Sequence, residues 1–114
     1  MLRGFGDIFF FQHITKPFSD WFFQLGLQAA GWATAKVANT WLGEEGLFSD
    51  LTKINVPTLI LHGIHDKVCL FPLGQAQNKG IKNSKLVPFN DSGHGLFYDQ
   101  KDKFNKELTQ FIER

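Results

Sequence analysis

The chain has 114 residues, room for one small domain and not for two. Apolar residues make up 43% and charged residues 20%, with a formal net charge of +1, so the basic face that a nucleic-acid or anionic-membrane binder carries is missing. The single cysteine, Cys69, excludes an intramolecular disulfide framework and a cysteine zinc site, and makes a reducing, cytoplasmic setting the expectation.

Thirteen Phe and three Trp stand against one Tyr and one Met, more large apolar rings than a domain this small readily buries. The charges are uneven too. Residues 1–43 carry five of them (Arg3, Asp7, Lys16, Asp20, Lys36) and residues 44–114 the other eighteen, while seven of the Phe precede residue 24. The longest uncharged stretch, Trp21 to Ala35, is shorter than the roughly 20 apolar residues of a membrane span. Asp7, Gln12 and His13 break any signal-peptide core, so neither secretion nor membrane anchoring is expected.

In chain order, Pro17 and then Phe18, Phe22, Leu25, Ala29 and Trp32 step by threes and fours, which predicts a helix with Pro in its first turn and a break near Gly31. Ala33 to Leu42 continues as a second helical piece, stopped by Gly43 or Gly46. A turn is expected from Ser49 to Asn55. Val56-Pro57-Thr58-Leu59-Ile60-Leu61-His62-Gly63 is an aliphatic, β-branched run without polar alternation, the pattern of a parallel strand buried on both faces. Phe71 to Ile81 reads as a crossover helix. Lys85 to Phe89 reads as a second strand, toward the sheet edge because of Pro88. Lys101 to Ile112 is an amphipathic helix with Phe104, Leu108, Phe111 and Ile112 on one face.

The loops leaving the two strands, Gly63 to Lys67 and Asn90 to Leu96, stand where open α/β sheets place their chemistry. A carboxylate on the first (Asp66) and an imidazole on the second (His94) can meet there, the carboxylate fixing the tautomer and the imidazole acting as base. Gly93 and Gly95 are expected to permit the backbone turns that aim His94. Taken singly, each residue has a plain structural reading: Asp66 caps the following helix and His94 belongs to a turn. His62, His65 and Asp66 are a poor metal set, because residues 62 and 65 face opposite sides of an extended backbone and no third ligand converges. Cys69 reads as a small packing residue, and Lys79, Lys82 and Lys85 as a solvated face.

These residues carry a resemblance. Val56 to Gly63 with Asp66 three residues on resembles the last-but-one strand and acid loop of the α/β-hydrolase fold. Ser92-Gly93-His94-Gly95-Leu96 resembles its histidine loop, and Phe104 to Ile112 its final helix. Asp20-Trp21-Phe22, Ala29-Ala30-Gly31 and Asp50 to Ile54 resemble the helical cap of the cofactor-free haloperoxidase and aryl-esterase group. The likeness runs from about residue 18 to 113 and is weaker over 1–17. It implies a partial α/β-hydrolase fold: residues 1–50 a helical cap segment, residues 51–114 a C-terminal α/β segment with the last two parallel strands and flanking helices, together one incomplete domain.

It further implies that Asp66 and His94 are triad acid and base, in the order Ser, Asp, His, with no cofactor and no metal. Trp21, Phe22 and Trp32 become candidates for lining an acyl or aromatic substrate pocket, although ordinary cap packing accounts for the same residues. The nucleophile elbow Gly-x-Ser-x-Gly is absent: Ser19, Ser49, Ser84 and Ser92 all fall outside that frame. The expectation is therefore part of a serine hydrolase acting on small esters, perhydrolysis being a variant, with the nucleophile upstream of Met1 and the chain inactive alone. A non-catalytic interaction module is the alternative reading. Two strands are marginal in isolation, so a homo-oligomer or a complementing N-terminal half is the expected partner.

Overall fold

Pro57 has no N–H to give, and the strand that follows it starts one residue later: Thr58–Gly63 (β1) pairs in parallel with Ser84–Phe89 (β2), Ile60 opposite Leu86 and Gly63 opposite Phe89. The structure is a computed structural model that describes residues 2–40 and 47–114. Thr58 N–H donates to Asn83 C=O at 2.9 Å, which closes the ladder at that end and leaves Val56 65% exposed, outside the strand that its β-branching suggested. The crossover is helix α5, Phe71–Gly80, one residue shorter than the spacing predicts. α7, Lys101–Ile112, has the bounds that its amphipathic pattern predicts, although Ile112 at its end is exposed.

The two helices take opposite faces of the sheet. α5 lies against the His62 face, where Gly74 touches the His62 ring. α7 lies on the face of Lys85 and Phe89. Lys103 Nζ reaches Pro88 C=O at 2.7 Å and stands 4.5 Å from the Phe89 ring, and Lys85 pairs with Glu107 at 3.6 Å. The core between them is small: Ile60, Ile81, Val87 and Phe89 are its buried aliphatic and aromatic members. Burial of β1 on both faces is not realised among the described residues, because Leu59 and Leu61 stay half-buried.

Ahead of the sheet come three helices, α1 (Leu2–Phe9), α2 (Lys16–Leu27) and α3 (Gly31–Asn39). Thr15 caps α2, its Oγ accepting from Phe18 N–H at 3.4 Å, and Pro17 occupies the first turn. The break expected at Gly31 falls earlier, at Gln28 to Ala30. Ala30 is extended, and Gly31 opens α3 rather than interrupting a helix. The Trp41-Leu42 end of the second predicted piece, and Gly43 or Gly46 as its stop, lie outside the described residues.

The turn expected after Ser49 is instead a short helix, α4 (Leu47–Asp50), running into a 3₁₀ turn at Leu51–Lys53. Both are held by bonds within the turn, Thr52 Oγ to Ser49 C=O at 2.8 Å and Lys53 to Asp50 at 2.6 Å. α6 (Leu96–Asp99) is a single turn joining the histidine loop to α7. Among the described residues no helix is long and apolar enough to cross a membrane.

Candidate active site

The end of β1 builds the acid loop. Ile64 N–H bonds to Phe89 C=O and His65 N–H to Ser92 C=O, both at 3.0 Å, so the loop is laced directly to the end of β2 and the loop that follows it. This close approach requires Gly63. A Cβ there would sit 2.2 Å from Gly93 O and 2.4 Å from Ser92 O, both backbone atoms that cannot swing aside. The chain then turns under itself and brings Asp66 back into the interior, 6% exposed. Asp66 Oδ1 accepts from Val68 and Cys69 N–H at 2.8 Å each, inside its own turn; the N-cap of α5 is Leu70 with no side-chain cap bond, so the capping role expected from sequence is not realised. Asp66 Oδ2 lies 2.8 Å from His94 Nδ1. One oxygen of the carboxylate thus holds the acid loop and the other faces the imidazole.

His62, weighed from sequence only as a poor metal ligand, is a member of this site. Its Nε2 lies 2.8 Å from Cys69 C=O, which can only accept, so Nε2 carries the proton. The same nitrogen stands 3.5 Å from Asp66 Oδ2, beyond hydrogen-bond length but close enough to add its field. The turn after Gly63 folds Asp66 back toward His62, an approach that the alternation of residues 62 and 65 does not address. His65 does diverge, stacking on Phe11 with centroids 4.2 Å apart and planes 9° off parallel. Burial, and secondarily the Asp66 charge, push the Cys69 thiol above the ordinary cysteine range, a setting unsuited to a nucleophile.

The histidine loop is held from several directions. Ser92 is fully buried, its Oγ donating to Gln100 Oε1 at 2.9 Å, and Asp91 N–H donates to the same oxygen at 3.0 Å. Gly93 N–H donates to Asp99 Oδ2, and Gly95 N–H to Phe9 C=O, both at 2.8 Å. His94 sits between these anchored neighbours, half-buried, with Nε2 free of hydrogen bonds among the described residues. Gly93 and Gly95 serve close contact rather than unusual backbone angles. Gly95 has φ −84°, and a Cβ on it would stand 2.4 Å from the Phe10 ring and 2.9 Å from the Phe9 ring.

The edge of the Phe9 ring meets His94, centroids 4.8 Å apart and planes 76° apart. Phe5, Phe10, Phe22 and Phe97 surround Phe9 at 4.8 to 6.4 Å. Of the three residues predicted to line a substrate pocket, Phe22 is therefore one ring away from the imidazole. Trp21 is 55% exposed and, among the described residues, meets the cluster through Phe18 at 5.4 Å. Trp32 is 72% exposed on α3, with Lys36 Nζ 6.0 Å from its ring, and does not reach His94. Phe9, Asp99 and Gln100 are site residues that the sequence reading passed over, and His62 is one that it weighed only as a metal ligand. The one available signal is the four-residue step from Phe5 to Phe9, which puts both rings on one side of α1.

No protein-family model matches the chain. Among curated proteins it is 40% identical over 110 residues to the AB hydrolase superfamily protein YisY of Bacillus subtilis, a match covering 96% of this chain and 41% of that protein. Among solved structures, the esterase EaEST from Exiguobacterium antarcticum superposes with a TM-score of 0.92 at 38% identity, covering 99% of this chain and 42% of that one. Bromoperoxidase from Bacillus anthracis superposes with a TM-score of 0.88 at 26% identity, covering 99% and 43%. The chain thus spans about two fifths of the length of the relatives it matches.

Proposed function

Because the chain belongs to the α/β-hydrolases, as a C-terminal portion of that fold near the haloperoxidase and esterase group, we propose that it supplies the acid and base of a serine hydrolase acting on small carboxylic esters. The observation that carries this reading is the 2.8 Å contact between buried Asp66 Oδ2 and His94 Nδ1, with Nε2 on the other side of the ring available to a substrate or nucleophile. In this proposal a serine from a segment outside these 114 residues attacks the ester carbonyl, and His94 Nε2 takes its proton. His94 then hands that proton to the departing alkoxide and activates water to release the acid. Asp66 keeps the proton on Nδ1 and stabilises the imidazolium. With hydrogen peroxide in place of water, the same last step yields a peracid.

Residues 1–50 serve as the cap and residues 51–114 as the catalytic segment. The Phe9, Phe22 and Phe97 rings make the neighbourhood of the base apolar, which suits an uncharged acyl group. The test pairs the chain with an N-terminal segment of a relative that carries Gly-x-Ser-x-Gly and measures nitrophenyl acetate hydrolysis. The pair is expected to be active and the chain alone inactive. Asp66→Asn and His94→Ala should each lower the pair's rate by about 10³- to 10⁴-fold. Turnover by the chain alone that His94→Ala abolishes would overturn the external nucleophile, and full activity of the Asp66→Asn pair would overturn the acid.

A second reading, association with another chain, has its own support. The chain exposes 8361 Å², against about 6,300 Å² for a compact monomer of its length. Its radius of gyration is 15.9 Å, where about 13 Å is usual. Trp32, Val56, Leu70 and Ile112 are among the apolar side chains left outside. The chain is expected to form a homo-oligomer or to bind a complementing N-terminal half. Light scattering across a dilution series checks this, and a stable monomer at nanomolar concentration would refute it.

A further inference from the structure

We infer that Asp99 is a positioning residue for His94, acting as the buckle of a strap formed by residues Phe9 to Gln12. Three backbone N–H groups from two distant parts of the chain converge on its carboxylate. Oδ2 accepts from Gly93 at 2.8 Å and from Phe11 at 2.9 Å, and Oδ1 accepts from Gln12 at 2.8 Å. Gly93 directly precedes His94. Gly95, which directly follows it, donates to Phe9 C=O at 2.8 Å. The peptide that follows His94 and the one that precedes Gly93 are therefore fixed through the strap or its buckle.

The strap touches the other loop as well. The Phe11 ring stacks on His65, next to Asp66, and Gln12 Nε2 donates to Asp91 C=O at 3.2 Å. One four-residue segment thus spans the acid loop and the histidine loop, and the 2.8 Å contact between Asp66 and His94 depends on those loops keeping their spacing. Bonds to a carboxylate are the stronger class of backbone hydrogen bond, and three on one group resist displacement together. The strap also presents Phe9 to the imidazole edge, so loss of the buckle frees the loop and the ring in one step.

The inference rests on His94 being the base proposed above, and its test is readable without turnover. Hydrogen exchange and imidazole resonances are measured on the full 114-residue chain carrying Asp99→Ala or Asp99→Asn. In Asp99→Ala the Gly93, Phe11 and Gln12 amides are expected to lose about tenfold or more in protection, and the His94 Nδ1 proton signal to move away from its hydrogen-bonded position. Ile64 and Thr58, which bond at the two ends of the ladder between β1 and β2, should keep their protection. Asp99→Asn separates positioning from plain stability. Its single carbonyl can still serve Gly93 and Phe11, while its NH₂ faces the Gln12 N–H, so Gln12 alone should lose protection and the His94 signal should stay near that of the parent chain.

Unchanged His94 resonances in Asp99→Ala, or a uniform loss of protection through β1 and β2 in both variants, would overturn the assignment. In the reconstituted pair, Asp99→Ala should lower kcat with little change in KM. An inactive pair whose Asp99→Ala exchange pattern is as expected would count against the hydrolase reading and leave the buckle standing.

Discussion

Gly63→Ala puts one methyl group where the acid loop and the histidine loop touch. The added carbon would lie 2.2 Å from Gly93 O, 2.4 Å from Ser92 O and 2.7 Å from Ser92 C, against ordinary contact at 3.4 Å and beyond, so the loops must part by about 1 Å. The bonds from Ile64 N–H to Phe89 C=O and from His65 N–H to Ser92 C=O, each 3.0 Å, stretch beyond use. Losing them costs about 1 kcal/mol each. Residual strain adds about 2 kcal/mol, and the stiffer unfolded chain gives back about 0.7 kcal/mol. The net loss is about 3 kcal/mol, which for a chain of 114 residues lowers the melting temperature by about 12 °C. The same parting pulls His94 from Asp66, so the Nδ1 proton signal should broaden or vanish in the folded variant. A melting point within about 2 °C of the parent, with the His94 signal in place, would refute the close-approach argument.

Gly74→Ala would place a carbon 2.5 Å from His62 Nδ1 and displace that ring from Cys69 C=O, at an expected cost of about 2 kcal/mol in urea unfolding without any change to residues of the histidine loop. Phe9→Ala removes a half-buried ring with four Phe neighbours and the His94 edge contact. It should cost about 2 to 3 kcal/mol and increase exchange at Gly95, whose partner is the Phe9 carbonyl. Cys69, whose thiol is raised by burial and then by Asp66, keeps its proton in the folded state at pH values where the unfolded chain has lost it. Its contribution is complete below the ordinary thiol value of 9.0 and is lost as pH rises through the folded value. Urea melts at pH 7 and pH 10 should therefore show a larger drop for the parent than for Cys69→Ala.

Local chemistry made some of this structure readable in advance. The aliphatic run ending at Gly63, the helical spacing of α7 and the two polar loops are each set by neighbours in sequence, and they stand within two residues of where the pattern puts them. The strap was not readable. Phe11 and Gln12 find Asp99 across 88 and 87 residues, and an Asp in a one-turn helix gives no sign of partners that far away. The approach of Asp66 to His62 was hidden for a related reason: alternation along a strand says which face a side chain takes, not that the next turn brings a carboxylate back to it. The glycines were identified as necessary but for a different reason. At Gly95 it is the Phe10 ring, a tertiary neighbour, that excludes a side chain, with the backbone in an ordinary conformation.

The aromatic excess and the charge asymmetry of the first forty-three residues have a common consequence at His94. Rings contributed by α1, α2 and the loop between them (Phe5, Phe9, Phe10, Phe18 and Phe22) form one connected cluster with Phe97 and Tyr98, and Phe9 is its point of contact with the imidazole. A wall of this kind lowers the local polarity, which strengthens the hydrogen bond between Asp66 and His94 provided that no other charge competes for the ring. The charges of that segment whose side chains are described are disposed so that they do not. Lys16 pairs with Asp20 at 2.6 Å, Lys36 lies over Trp32, and Asp7 is exposed on α1. A Lys or Glu in place of Phe9 would break the arrangement in opposite ways, the first by opposing protonation of His94 and the second by offering a rival carboxylate. Scarcity of charge in residues 1–43 is thus a condition of the site: it lets a helical segment lie against a histidine and leave Asp66 as its carboxylate partner.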